Sequence, residues 1–208
     1  MWYAILITVL VGYLLGNLNG AVCMSQLMAH EDVRSHGSGN AGLTNFIRNY
    51  GAGKSLSVIA IDGGKAAVAC LAGGLILAPF DMKLEGMAIG GLALMLGHDF
   101  PALLGFRGGK GIMSGCIIAF VVDWRVGLLI LGVFAIAYFI TWYVSLGSVL
   151  AATAFGVGFV IFHHDNLTVM LCGIAMGALA VFMHRGNIAR LLKGQEKKTN
   201  LFGKGNKK

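Results

Sequence analysis

Charge is what this sequence has least of. Only 12% of its 208 residues are Asp, Glu, Lys or Arg, where soluble domains carry about 25%. A chain so poor in charge cannot coat a water-soluble globule, which disfavours a soluble α/β enzyme, a disordered chain and a nucleic-acid-binding domain together. Proline is scarce as well, with two residues against 32 glycines, a balance that fits helices packed closely in lipid through small residues. The four cysteines, Cys23, Cys70, Cys116 and Cys172, stand singly in apolar runs and read as reduced packing residues, not as thiolate metal ligands. Catalytic signatures are missing too. There is no H-E-x-x-H and no G-x-S-x-G elbow, and no histidine has an aspartate five positions later.

What the chain does have is apolar length. Hydrophobic residues make up 57% and the mean hydropathy is +0.77, the composition of a polytopic membrane protein. A bilayer core of about 30 Å needs roughly 20 apolar residues in a helix. Seven runs stand out: Trp2–Met28, Ser55–Pro79, Gly86–Leu104, Ile112–Val122, Val126–Trp142, Val149–Phe162 and Leu167–Met183. The expected fold is therefore all-α, a single membrane domain of seven transmembrane helices. The first run has no basic flank and no A-x-A site before a soluble chain, so it reads as a helix and not as a signal peptide. Two runs are awkward. Asp62 and Lys65 lie inside the second, which predicts a helix starting nearer Ala66 or a segment 55–65 along the interface. Ile112–Val122 is short, and Gly108–Gly111 is expected to extend it.

With seven spans, one side receives the loops 29–54, 105–111 and 143–148, the segment 184–196 and a basic, flexible tail over 197–208. Counting Lys65 there, that side holds all of the 16 basic residues except Lys83 and Arg125. With five acids inside and four outside, the two sides carry +9 and −2. The positive-inside rule places the basic side in the cytoplasm and the N-terminus outside.

The same side holds three polar segments rich in glycine and cations. In the first, Arg34-Ser-His-Gly-Ser-Gly-Asn-Ala-Gly-Leu-Thr-Asn-Phe-Ile-Arg48, Gly37, Gly39 and Gly42 spell G-x-G-x-x-G. No strand precedes them, so the dinucleotide reading fails. The glycines still allow backbone N–H groups to converge on an anion. Ser38, Asn40, Thr44 and Asn45 add neutral donors, and Arg48, one of two arginines bracketing the run, adds charge with bidentate geometry for phosphate; the plain alternative is a flexible polar loop. The second segment, Gly97 to Ser114, contains Gly108-Gly-Lys-Gly111. It is not a Walker A, because Leu104 stands where that motif needs glycine. It does bring a lysine and free N–H groups to the start of a helix. His98 and Asp99 within it read as interfacial caps more than as an acid/base pair. In the third, His184 to Glu196, a basic membrane stop explains the cations but not His184 and Asn187, which share a face if helical. Asp62-Gly-Gly-Lys-Ala falls short of the CDP-alcohol phosphotransferase motif, with no downstream aspartate pair.

Together the segments resemble a known family. Gly37-Ser-Gly-Asn-Ala-Gly-Leu-Thr-Asn45, Gly97-His-Asp-Phe-Pro101 with Phe106-Arg-Gly-Gly-Lys-Gly111, and His184-Arg-Gly-Asn187 through Gly194-Gln-Glu196 look like the three motifs of bacterial acyl-phosphate:glycerol-3-phosphate acyltransferases. Order, spacing and side match over nearly the whole chain. Asp62, Lys65 and Tyr143-Val-Ser145 also resemble family positions. Asn17 and Asn19 depart from a stretch that is commonly Gly-Ser-x-Pro-x-Gly, and Ser114 stands where threonine is frequent.

The resemblance implies acyl transfer from acyl phosphate to the sn-1 hydroxyl of glycerol 3-phosphate, giving lysophosphatidic acid and phosphate in a bacterial inner membrane. It implies Lys110, His184 and Asn187 as catalytic residues. Ser35, Gly37, Ser38, Gly39, Asn40, Thr44, Asn45, Arg48, Gly108, Gly109 and Ser145 would bind substrate, with no cofactor and no metal. Membrane lipid and the soluble enzyme that forms acyl phosphate are the implied partners, and nucleic acid is not. The donor is an activated mixed anhydride, so the missing nucleophile is no obstacle. A transporter or channel for a phosphorylated anion is the competing class, and a purely structural membrane protein a distant third.

Overall fold

The structure, a computed structural model, describes residues 1–199. These residues form ten α-helices: α1 Trp2–Gly16, α2 Gly20–Ala29, α3 Leu43–Tyr50, α4 Ser55–Leu77, α5 Lys83–Asp99, α6 Ile112–Val122, α7 Trp124–Thr141, α8 Val144–Phe162, α9 Leu167–Met183 and α10 Arg185–Leu192. All seven apolar runs are helical over most of their length, although the third leaves the α-helix after Asp99 and ends in a 3-10 turn over Ala102–Leu104. Five spans have the length and hydropathy to cross a bilayer, taking α1 with α2 as one; α9 joined to α10, bent by 55°, makes a sixth. The seventh run, α6, has 11 residues and rises only about 17 Å. Gly108–Gly111 do not extend it, contrary to expectation. The chain doubles back there, with Gly108 N–H bonded to the Asp99 carbonyl (3.2 Å) and Gly109 N–H to that of His98 (3.0 Å).

Small residues let the helices approach closely. A Cβ on Gly12 of α1 would lie 2.7 Å from the Gly90 carbonyl oxygen of α5, and Gly73 of α4 meets Gly86 of α5 backbone to backbone. Without a hydrophobic force between helices in lipid, such contact supplies the cohesion. Large apolar side chains point outward instead: Leu6, Leu10 and Leu14 on α1, Leu71 and Leu75 on α4, Ile136 and Ile140 on α7.

The first run is two helices, not one. The break at Asn17-Leu18-Asn19 frees carbonyls that need partners. Asn19 caps α2 by accepting the Val22 N–H (3.0 Å) and donates to the Ala41 carbonyl (3.0 Å), while Asn17 accepts the Leu103 N–H (3.1 Å). Lys65 reaches across from α4 to the carbonyls of Gly16 and Leu18, and Asp62 accepts the Gly20 N–H (3.0 Å). Their own pair is 2.9 Å long and buried, and His98 Nδ1 lies 2.9 Å from Lys65 Nζ. Hence α4 does not begin near Ala66. It runs unbroken from Ser55, because each charge inside it has a partner at the break.

Candidate active site

The three polar segments converge on one cleft, a cavity of about 1160 Å³ lined also by α4, α6, α7, α8 and α9 and by Met95 of α5. The first segment is held from within. Gly37 and Gly39 take left-handed backbone at φ +61° and +71°, which suits glycine because it has no Cβ. Their turn wraps the Asn45 side chain, which accepts the Ser38 N–H (2.9 Å) and donates to the carbonyls of Val33, His36 and Asn40. Asn45 is thus the hub of this loop and not a free donor. Arg34 is committed as well. It pairs with Asp32 (2.7 Å) and bonds the carbonyls of Leu104 and Arg107 at 2.9 Å, tying the first loop to the second. Arg34 thus serves the scaffold and does not line the cleft.

Gly37, Ser38, Gly39, Asn40, Thr44, Asn45, Arg48, Gly108, Gly109, Lys110, Ser145, His184 and Asn187 all line the cleft. Ser35 stands apart: it lies in a short 3-10 turn, exposed, with its hydroxyl donating to the Asp32 carbonyl (2.7 Å). Gly109 packs so tightly on the His98 ring that a Cβ there would collide with Nε2. His98 and Asp99 are both buried in the last turn of α5 and both line the cleft. The Asp99 carboxylate has no hydrogen-bond partner among the described residues.

Lys110 bonds the Asn187 side-chain oxygen, and the Asn187 amide donates to Glu196 (2.8 Å). Burial, with Arg190 nearby, pulls the Lys110 ammonium down to about 8. His184 follows the end of α9, and its Nδ1 lies 2.8 Å from the Ala180 carbonyl oxygen. Nδ1 therefore carries the proton and Nε2 is the acceptor. Burial raises the Glu196 carboxyl, but hydrogen bonds from Asn187 and Arg190 outweigh it and hold the group below its usual range.

Glu196 and Arg190 are site residues that sequence reasoning passed over. Glu196 is the one acid in the basic stretch 184–198, and that isolation was the available signal. Thr199 gave no signal. It falls in the expected flexible tail, yet it bonds Arg48 through its hydroxyl, and its backbone meets the Tyr138 hydroxyl (3.0 Å) and the Trp142 carbonyl (3.1 Å). Residues 200–208 of that tail lie outside the described residues.

Comparison with known proteins agrees with this geometry. The sequence profile of the family described as glycerol-3-phosphate acyltransferase matches residues 6–194. The glycerol-3-phosphate acyltransferase of Thermoanaerobacter sp. (strain X514) is 37% identical over 153 residues, 74% of each chain. That of Paramagnetospirillum magneticum (strain ATCC 700264 / AMB-1) is 35% identical over 151 residues, covering 73% of this chain and 72% of its own. Among solved structures, PlsY (YgiH), an integral membrane glycerol 3-phosphate acyltransferase, superposes in its glycerol 3-phosphate form with a TM-score of 0.83 at 31% identity, over 96% of this chain and 99% of that one. Its lysophosphatidic acid form gives 0.78 at 29%, over 95% and 96%. With three loop segments gathered on one cleft in an all-helical, lipid-compatible body, this chain belongs to the glycerol-3-phosphate acyltransferase family of integral membrane enzymes.

Proposed function

We propose that the chain moves a fatty acyl group from acyl phosphate to the sn-1 hydroxyl of glycerol 3-phosphate, the first acylation of phospholipid synthesis. One observation carries the reading. A single cavity joins a cationic end at Arg48 and Lys110 to an apolar end among α6, α7, α8 and α9. Two phosphates need the first, and a fatty chain needs the second.

In this mechanism the Gly37–Asn45 loop with Arg48, and the Gly108–Gly111 turn with Lys110, hold the two phosphates. His184 Nε2 and Asn187 orient the glycerol hydroxyl, whose oxygen attacks the acyl carbonyl. The C–O bond to phosphate breaks as the ester forms, and the departing phosphate takes the hydroxyl proton. Catalysis then rests on positioning and on fixed charge facing the developing anion. Seven crossings, with α6 as the short one, would place the cleft in the cytoplasm and the N-terminus outside a bacterial inner membrane. The distribution of Lys and Arg supports this orientation. The soluble enzyme that forms acyl phosphate is the partner expected to deliver the donor.

Purified protein in detergent should release phosphate only when both acyl phosphate and glycerol 3-phosphate are supplied. Lys110→Ala should lower that rate by about 10²–10³-fold, the usual loss for one removed charge-stabilising donor. Turnover of Lys110→Ala near that of the parent, with the protein still folded, would sink the assignment.

A further inference from the structure

Along α6, α7, α8 and α9 the lining of the apolar half of the cavity stops partway down each helix. Its deepest lining residues are Cys116 on α6, Ile130 on α7, Phe155 on α8 and Met176 on α9. Nearer the loops, α8 lines it with Ser148, Ala151 and Ala152, and α9 with Gly177 and Ala180. The change on α8 from these small residues to Phe155, with Met176 beside it on α9, is what makes a floor. Phe155 is fixed from behind. Its ring stacks on Phe159 at 4.9 Å, and Phe159 stacks on His163 at 5.5 Å. His163 Nε2 is held at 2.9 Å by Asp123, which Arg125 also grips at 2.6 Å. The column runs from the floor to the far end of the bundle, so the ring has no room to withdraw.

We propose that Phe155, backed by Met176, ends the acyl-chain cavity and sets the longest chain the enzyme takes in fully. The inference rests on the acyl-transfer reading above. Ten residues of α8 separate Ser145 at the cationic end from Phe155, which is a depth of about 15 Å at the helical rise. That is half of a hydrocarbon core of about 30 Å, or the thickness of one leaflet. A chain of membrane length fills this depth, and each further methylene meets the ring.

The test is a chain-length profile: kcat/KM of purified enzyme for straight-chain acyl phosphates of increasing length, with glycerol 3-phosphate saturating. Phe155→Ala should extend the profile toward longer chains. Met176→Phe narrows the cavity from the facing wall and should cut the longest donors by about tenfold while sparing short ones, the usual cost of a misfitting methylene or two. The two variants read the floor in opposite directions, so either suffices if the other fails to fold. A profile unchanged in whichever variant folds overturns the proposal, because the chain then leaves sideways between helices. A parent enzyme that turns over no acyl phosphate at all means instead that the acyl-transfer reading is wrong.

Discussion

Lys110 sets the pH behaviour of the proposed site. Its pKa of about 8 means that the free enzyme holds the cation below that pH and loses it as pH rises through it. The activity profile in kcat/KM, which reports free-enzyme ionisations, should therefore fall on a basic limb near 8. A bound phosphate stabilises the ammonium, so the limb in kcat should lie higher. Lys110→Arg should remove the limb from the accessible range, since guanidinium does not titrate there. A limb that stays in place in Lys110→Arg would assign it to another group. His184, whose Nδ1 is committed to the Ala180 carbonyl, should behave differently. His184→Gln is expected to lower the rate without changing the shape of the profile across neutral pH, as fits an orienting group. A changed shape in that variant would instead make His184 the general base.

Elements depend on the buried pair between Asp62 and Lys65, which splints the break between α1 and α2. Removing one partner leaves a charge uncompensated and should cost about 3–5 kcal/mol. Lys65→Met should therefore unfold at lower temperature in detergent and expose the Asn17–Asn19 break to protease. The double variant Asp62→Asn/Lys65→Met should recover part of the loss, because no lone charge remains. Equal loss in both would mean that the hydrogen bonds to Gly16 and Leu18, not the charge balance, hold the break. The sequence made Asp62 and Lys65 visible as a cost inside an apolar run. It could not show that the partner was a broken helix 40 residues away, since that contact exists only after α1, α4 and α5 have packed.

At the scale of the whole molecule, the proposed topology puts the cleft and the N-terminus on opposite sides of the membrane. Single cysteines placed at Lys197 and at Asp165, in a background with the native cysteines replaced, should react with a membrane-impermeant thiol reagent from opposite faces. In intact cells the Asp165→Cys site should label and the Lys197→Cys site should not. Labelling of both from one face would give an even number of crossings and overturn the seven-span arrangement. The cavity's own form bears on the rival transporter class. A passage would have to run through the column Phe155–Phe159–His163, which the structure fills with stacked rings.

Low charge, long apolar runs and one-sided cations were enough to read an all-helical membrane body from the sequence, because hydropathy and periodicity are local properties. The three loop motifs were readable for the same reason: glycine, cation and amide spacing is written in short stretches. Tertiary structure decided what those residues do. Asn45 became a hub and Arg34 a strut, and Ser35 fell outside the cleft, because each hydrogen bond depends on which carbonyl lies nearby in space. It also gave the scarce charges two duties. Lys65 holds a helix break inside the bundle and Arg48 and Lys110 face the cleft, while Asp62 bonds the break and lines the cleft as well. In a medium that cannot solvate ions, only packing determines which charges are spent on the scaffold and which line a substrate's cleft.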